Sequence, residues 1–245
     1  MKTLFLSDLH IGTDNCQTEK ILDLLKTFGT DTGYSLDALY LVGDIIDFVA
    51  MRKRIGWNKQ HTTLVQKFLR MSRKGVKIFY IIGNHDYHLE FLDDKTFGDI
   101  HILERDQYQA SSGDTFLVLH GHQADGFILK HPWLYWLGDG AYEISVFLNR
   151  NLNRLRSIFG LEYWSLSLYL KSKVKSALSF VNKVDDYLIR LTQDSYCQGV
   201  IYGHTHMAKD EVKYGFRIMN TGCGTEYVSY ILDDGQGNIK LHYWK

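Results

Sequence analysis

Proline is nearly absent from this chain of 245 residues, with Pro132 the only one. Cysteine is scarce as well: Cys16, Cys197 and Cys223 are odd in number and form no C-x-x-C pair. A disulfide framework, a zinc knuckle and a collagen-like fibre are thereby disfavoured. Reduced thiols in a cytoplasmic setting are the expectation. Net charge is missing too, since 28 Lys and Arg balance 28 Asp and Glu. No overall field draws the protein onto nucleic acid or membrane, so any charge-driven partner must be met by a local patch. Long apolar runs are also lacking. Asp8 interrupts the opening MKTLFLSDLH before signal-peptide length, and no stretch reaches the roughly 20 apolar residues of a membrane span. The expected location is therefore the cytoplasm.

What is present is ordinary globular composition, 45% hydrophobic and 23% charged, in a length that suits one domain with an insertion. Short apolar runs at 3–7, 38–42, 76–82, 115–119 and 199–202, bounded by Gly or Asp, read as buried strands. Helical periodicity covers 19–28, through Ile21, Leu22, Leu24, Leu25 and Phe28, and 62–72, through Leu64, Val65, Phe68, Leu69 and Met71. Strand–helix alternation predicts a layered α/β core. Residues 217–220, 227–232 and 239–244 read as further strands, with Asp233-Asp234-Gly235 and Gly237-Asn238 turning the last pair. Two packed sheets with helices outside are expected. Residues 127–195 break the alternation and read as a helical insertion, rich in Trp and Tyr, over one end of a single domain.

A polar motif follows nearly every early strand: Asp8-Leu9-His10, Gly43-Asp44-Ile45-Ile46-Asp47, Gly83-Asn84-His85-Asp86, His120-Gly121-His122 and Gly203-His204-Thr205-His206. Ligands of open α/β sheets gather beyond the carboxyl ends of strands, so these loops can converge on one crevice. In extended chain, residues i and i+2 face one side, which lets Asp8 with His10, and His204 with His206, reach one centre. Asp, Asn and His together suit two divalent cations bridged by one carboxylate. Burying so many carboxylates and imidazoles together would be too costly without cations.

In that order the motifs resemble the calcineurin-like metallophosphoesterases, and within them the UDP-2,3-diacylglucosamine pyrophosphatase-like group. Finer matches are Ser7–Thr13, Leu41–Asp47, Leu137-Gly138-Asp139 and Tyr163–Ser167. The resemblance implies a four-layer α/β/β/α sandwich with a helical cap. It implies one metal on Asp8, His10, Asp44 and His206, a second on Asp44, Asn84, His120 and His204, and Mn²⁺ as the usual ion, with Fe or Zn fitting the same atoms. His85 would act on the scissile phosphate, with Asp47 orienting it. The implied reaction is hydrolysis of UDP-2,3-diacylglucosamine to UMP and 2,3-diacylglucosamine 1-phosphate, a step of lipid A synthesis. Three positions depart from the group: His85 stands where Arg is common, His122 where Asp is common, and Asn220–Gly224 lacks the usual Trp.

Two basic stretches remain. Residues 48–75 hold eight Lys and Arg and no acid, and 145–176 hold six against Glu162 alone. Interleaved with aromatics, they suit an anionic amphiphile or the inner face of a membrane, to which the protein would bind peripherally. Arg150, Arg154 and Arg156 are the candidates for phosphate or lipid, Trp133, Trp136 and Trp164 for an acyl chain, and Asp125 for a polar contact. Solvated faces and structural tryptophans are the plain alternatives. A phosphodiesterase, phosphatase or nuclease for another substrate stays open, as does a non-catalytic scaffold of the same fold; nucleic acid is the less favoured partner.

Overall fold

The computed structural model describes residues 1–28, 35–53, 56–125 and 183–245. They fall in two compact units, Met1–His122 with Leu188–Lys245, and Gln123–Tyr187. Of the second unit only 123–125 and 183–187 are described. The expected insertion at 127–195 therefore lies outside the described residues up to 182.

The first unit opens with three parallel strands, β1 (Thr3–Leu6), β2 (Ala38–Val42) and β3 (Lys77–Ile81). Helices α1 (Thr18–Thr27), α2 (Phe48–Lys53) and α3 (Lys59–Arg73) lie between them in sequence. After β3 come β4 (Lys95–Phe97), β5 (Ile100–Leu103), β6 (Arg105–Gln109) and β7 (Thr115–Leu119). The chain closes with β8 (Gly199–Tyr202), β9 (Lys209–Lys213), β10 (Phe216–Asn220), β11 (Val228–Asp233) and β12 (Ile239–Trp244). Seven strands form one sheet in the order β12-β11-β1-β2-β3-β5-β4, and five form the other in the order β6-β7-β8-β10-β9.

Strand alternation sorts the side chains into two cores. Leu4 and Leu6 of β1, Leu39 and Leu41 of β2, and Ile78 and Tyr80 of β3 join Ile21, Leu24, Leu64 and Phe68 of α1 and α3. Their neighbours Phe5, Tyr40, Val42 and Ile81 point the other way, to meet Tyr108, Phe116, Val118, Ile201 and Met219 of the second sheet. The strands are thus apolar on both faces, which is why they read as continuous runs in the sequence. Leu117, Leu119, Val200, Tyr202 and Ile218 face away from that inter-sheet core yet are buried. Their burial requires a fourth layer, and within the same unit Leu188, Ile189 and Thr192 of a helical segment are buried too.

Helix α3 begins three residues before the expected start because a reciprocal cap holds it. The Asn58 side chain accepts from the backbone N–H of His61, and the His61 ring accepts from the backbone N–H of Asn58. Such caps satisfy amides that the first turn leaves open. His61 is thereby an ordinary structural histidine. Among the described residues, no helix is long and apolar enough to cross a membrane.

Polar ties stitch the sheets together around this packing. Tyr40 on β2 donates to Asp106 at 2.8 Å, and Arg217 on β10 donates to the carbonyl of Ile239 at 2.7 Å. Fully buried Asp233, at the end of β11, accepts from the Tyr108 hydroxyl at 2.7 Å and the Ser111 amide at 2.8 Å. Its other oxygen takes the Gly235 amide at 2.9 Å and the Ser111 hydroxyl. Burial opposes charge on Asp233, but these donors outweigh it and hold its carboxyl below the usual range. Each oxygen receives one backbone N–H, so an amide side chain cannot satisfy both. Asp233→Asn is expected to cost about 1.5–3 kcal/mol at neutral pH, the worth of a charge-assisted hydrogen bond. Because the folded pKa is depressed, this stabilisation is full above the ordinary carboxylate pKa near 4 and fades as pH falls through the folded value. Urea unfolding of both proteins at pH 7 and pH 3 checks both the size and the narrowing of the gap.

Candidate active site

Parallel register brings the carboxyl ends of β1, β2 and β3 to one edge of the first sheet, and those of β7 and β8 to the corresponding edge of the second. All five motifs start there. The loops after β1 and β2 are zipped together by Asp8 N–H to Gly43 O at 3.0 Å, His10 N–H to Asp44 O at 3.0 Å and Ile11 N–H to Ile45 O at 2.8 Å. Gly203 N–H to His120 O, at 3.0 Å, does the same for the loops after β7 and β8.

The expected ligands gather in two sets. Asp8, His10 and His206 form one, and Asp44, His120 and His204 the other, with the ligand atoms of each set within 4.8 Å of one another. Between them, His10 Nε2 lies 4.0 Å from Asp44 Oδ2, which is also 3.3 Å from His120 Nε2. Asp44 thus adjoins both sets, as a bridging carboxylate must. A third set brings His10, Asp47 and His85 together. Asn84 Oδ1 is buried without a hydrogen-bond partner.

Backbone strain concentrates at these residues. Eight non-glycine residues have positive φ among the described residues, and Asp8, His10, Asp44, His204 and His206 are five of them. Asp and His enter this left-handed region more readily than most, but it is uncommon for either. Strain of this kind persists only where the surroundings over-determine it, and it clusters at functional sites. Two glycines give room for the carboxylates. A Cβ on Gly203 would come within 2.3 Å of Asp8 Oδ2, and one on Gly83 within 2.3 Å of Asp44 Oδ1. Glycine before Asn84 and His204 therefore serves close approach more than turning.

Electrostatics follows from burial. Desolvation alone would raise the Asp8 and Asp44 pKa values, yet His120, joined by His206 at Asp8 and by His85 and His10 at Asp44, holds both below the usual range. Burial works against charge on His120, but Asp44 and Asp8 push its pKa up to about 10. The His206 ring follows the same pattern, with desolvation overcome by Asp8 at 3.2 Å. The hydrogen bond to Asp47 raises the His85 pKa against desolvation. This pocket of carboxylates calls for compensating positive charge. Two observations favour cations as its source. His10 Nε2 and His206 Nε2 converge to 3.3 Å beside Asp8, and Asn84 Oδ1 is a buried acceptor without a donor. His120 donates through Nδ1 to Val42 O at 2.9 Å, which turns its Nε2 toward Asp44. A ring nitrogen so freed is a normal metal ligand. The donor set fits divalent metals.

Several supporting residues were not apparent in the sequence. Ser7 bonds Asp8, Thr221 and the Gly222 carbonyl. Asn220, at the end of β10 just before the turn that lacks the Trp, donates to Gly203 O at 2.7 Å. Tyr227 donates to the His206 carbonyl and accepts from Ala208 N–H. Asp86 is a buried structural anchor that takes Ile45 N–H at 2.8 Å, Tyr80 OH at 2.6 Å and Gly83 N–H at 2.5 Å. Their adjacency to the motifs was the available signal, and it named no partner. His122 is half-buried, its ring 5.5 Å from that of His120. Asp125 follows the turn His122–Ala124 and belongs to the second unit. Arg150, Arg154, Arg156, Trp133, Trp136 and Trp164 lie outside the described residues. Arg52, Lys53, Lys59, Arg70, Arg73 and Lys74 of the earlier basic stretch are exposed, and Lys67 is half-buried.

Two facing sheets with histidines and carboxylates at their shared edge define a hydrolase of phosphate esters with candidate metal sites. The chain belongs to the calcineurin-like phosphoesterase family, whose model matches residues 1–208. It is 25% identical to the UDP-2,3-diacylglucosamine hydrolase of Aliivibrio fischeri (strain MJ11), over 84% of this chain and 82% of that one. The protein of the same name from Blochmanniella pennsylvanica (strain BPEN) is 24% identical over 94% and 91% of the two chains. Among solved structures, an archaeal phosphodiesterase aligns over 99% of each chain at 15% identity, with a TM-score of 0.46.

The glycine contacts carry a direct expectation. Gly203→Ala would press a methyl group onto Asp8 and Ser7, an overpacking worth about 1–3 kcal/mol. Gly83→Ala should do the same at Asp44. Urea unfolding of metal-free protein measures both losses.

Proposed function

We propose that the chain is a dinuclear metal-dependent phosphohydrolase acting on UDP-2,3-diacylglucosamine, releasing UMP and 2,3-diacylglucosamine 1-phosphate. The observation that carries the dinuclear reading is the pair of ligand sets, Asp8–His10–His206 and Asp44–His120–His204, meeting at Asp44. Asp8, His10, Asp44 and His206 would hold one cation, and Asp44, Asn84, His120 and His204 the other. Two such cations would neutralise charge on phosphate oxygens and make water a nucleophile near neutral pH. Mn²⁺ is the ion this reading favours, and Fe or Zn would fit the same donors.

The chain's own groups do the rest. His85 Nδ1 pairs with Asp47 Oδ1 at 2.9 Å, which leaves Nε2 to meet the substrate. With Nδ1 so engaged, the charged ring donates from Nε2 to a phosphoryl oxygen or to the departing phosphate. Asp47 fixes the ring and balances its charge. Asp44 supports His85 from its other side by accepting the His85 backbone N–H at 2.7 Å.

The substrate assignment draws on the relatives' names and on the chemistry of the insertion, where Arg150, Arg154 and Arg156 would meet anionic groups and Trp133, Trp136 and Trp164 an acyl chain. Asp125 would add a polar contact. On this reading 127–195 caps a single catalytic domain, and the protein works in the cytoplasm against the anionic inner face of the membrane. A second reading, a phosphodiesterase for another substrate, is favoured by His85 and His122, which stand where the pyrophosphatase group commonly has Arg and Asp.

Mn²⁺-loaded protein assayed on UDP-diacylglucosamine, a bis-aryl phosphodiester and single-stranded DNA separates these readings. Turnover of the first supports the proposal; turnover of the diester or DNA alone moves the assignment; none on any substrate favours a scaffold. His85→Ala should retain two ions per chain and lose roughly 10²–10⁴ in rate. Asp44→Asn should weaken both sites at once, and Asn84→Ala mainly one, as read by metal analysis after reloading.

A further inference from the structure

Asp47 is 4% exposed and sits at the N-cap of α2. Its Oδ1 accepts from Ala50 N–H at 2.7 Å and pairs with His85 Nδ1 at 2.9 Å. Its Oδ2 accepts from His10 Nδ1, also at 2.9 Å. The two imidazoles stand edge to face, ring centroids 4.8 Å apart. Sequence reasoning gave Asp47 the His85 contact alone.

We infer that Asp47 is a positioning residue for both histidines, holding His10 in the tautomer whose Nε2 is free for the first cation while it aims His85; this rests on the dinuclear reading above. A carboxylate can serve three donors at once because every lone pair accepts. An imidazole bound to metal commonly gives its other N–H to such a group, which fixes tautomer and ring orientation. His10 Nε2 then points at His206 Nε2 and Asp44, 3.3 and 4.0 Å away, in the middle of the first ligand set. One carboxylate therefore links a metal ligand to the residue that works on the phosphate.

The isosteric amide separates the two duties. In Asp47→Asn the carbonyl oxygen belongs beside Ala50 N–H and His85, since the opposite orientation would set an NH₂ group against two donors. The NH₂ group then faces His10 Nδ1. His10 must accept there and carry its proton on Nε2, the atom that the cation needs. His85 keeps its acceptor. Asp47→Asn should thus lose first-site metal with the second site intact, whereas His85→Ala should keep both metals.

The test is Mn²⁺ titration of wild type, Asp47→Asn and His85→Ala by calorimetry and electron paramagnetic resonance. Wild type and His85→Ala are expected to take two ions with a spin-coupled spectrum. Asp47→Asn should take the second ion 10–100-fold more weakly and show an uncoupled six-line signal at intermediate Mn²⁺. Wild-type affinity at both sites in Asp47→Asn, or equal weakening of both, would overturn the inference. Fewer than two ions on wild type would instead strike at the dinuclear reading itself. A measurement on wild type alone guards against a variant that fails to fold. Long-range ¹H–¹⁵N spectra of Zn²⁺-loaded protein should show the His10 proton on Nδ1, and a bare Nδ1 would refute the assignment.

Discussion

Asp8 and Asp44 are two carboxylates buried side by side at the ends of adjacent parallel strands, and much of the molecule is arranged around their cost. Charge in such a place is tolerated only if it is paired and hydrogen-bonded. The pairing comes from imidazoles, and the hydrogen bonds from backbone: His204 N–H to Asp8 at 3.0 Å and His85 N–H to Asp44 at 2.7 Å. The Asp8 donor follows β8 of the second sheet, and Asp44, although its amide donor follows β3 of its own sheet, pairs with His120 after β7, so each carboxylate is fully partnered only when both sheets are assembled. Folding of the sandwich and formation of the site are in this sense one event.

Four aspartates illustrate how environment, not residue type, decides a role. Asp44 and Asp47 share one motif, and Asp86 ends another. Asp86 is desolvated and lies near Asp44, so its pKa is raised, and it spends its oxygens on two amides and a tyrosine. Asp47 is buried as well, but two imidazoles and a backbone amide hold its pKa down. Asp233, far along the chain, is tied off by Tyr108 and Ser111 and serves only to join the sheets. Spacing in the sequence tells the first two apart and says nothing about Asp233.

Legibility of the fold divides along the same line. Strands β1, β2, β3, β7 and β8 were plain because burial on both faces leaves an uninterrupted apolar run. Strands β4, β5, β6 and β9 were not; β5 is internal, but the other three are sheet edges, and Arg105–Gln109 and Lys209–Lys213 are mostly charged or polar. Edges that invite no partner are built this way, so the feature that protects them also hides them. Helix α2 has no buried residue and left no periodic trace. The candidate ligand residues stood out because unusual chemistry recurred after strand upon strand. The contact of Asp47 with His10 was not, since no spacing rule brings together residues from loops after different strands.

The left-handed backbone at Asp8, His10, Asp44, His204 and His206 also bears on how the site can be dissected. An alanine at any of these positions removes a functional group and leaves a Cβ in a conformation that costs roughly 1–2 kcal/mol. Its measured defect would mix lost chemistry with a dearer backbone. Glycine at the same position removes the side chain and relieves the conformation, which makes it the cleaner deletion. A selection for thermal stability alone would accordingly drift toward glycine at these positions, erasing the candidate ligands as it tightened the fold.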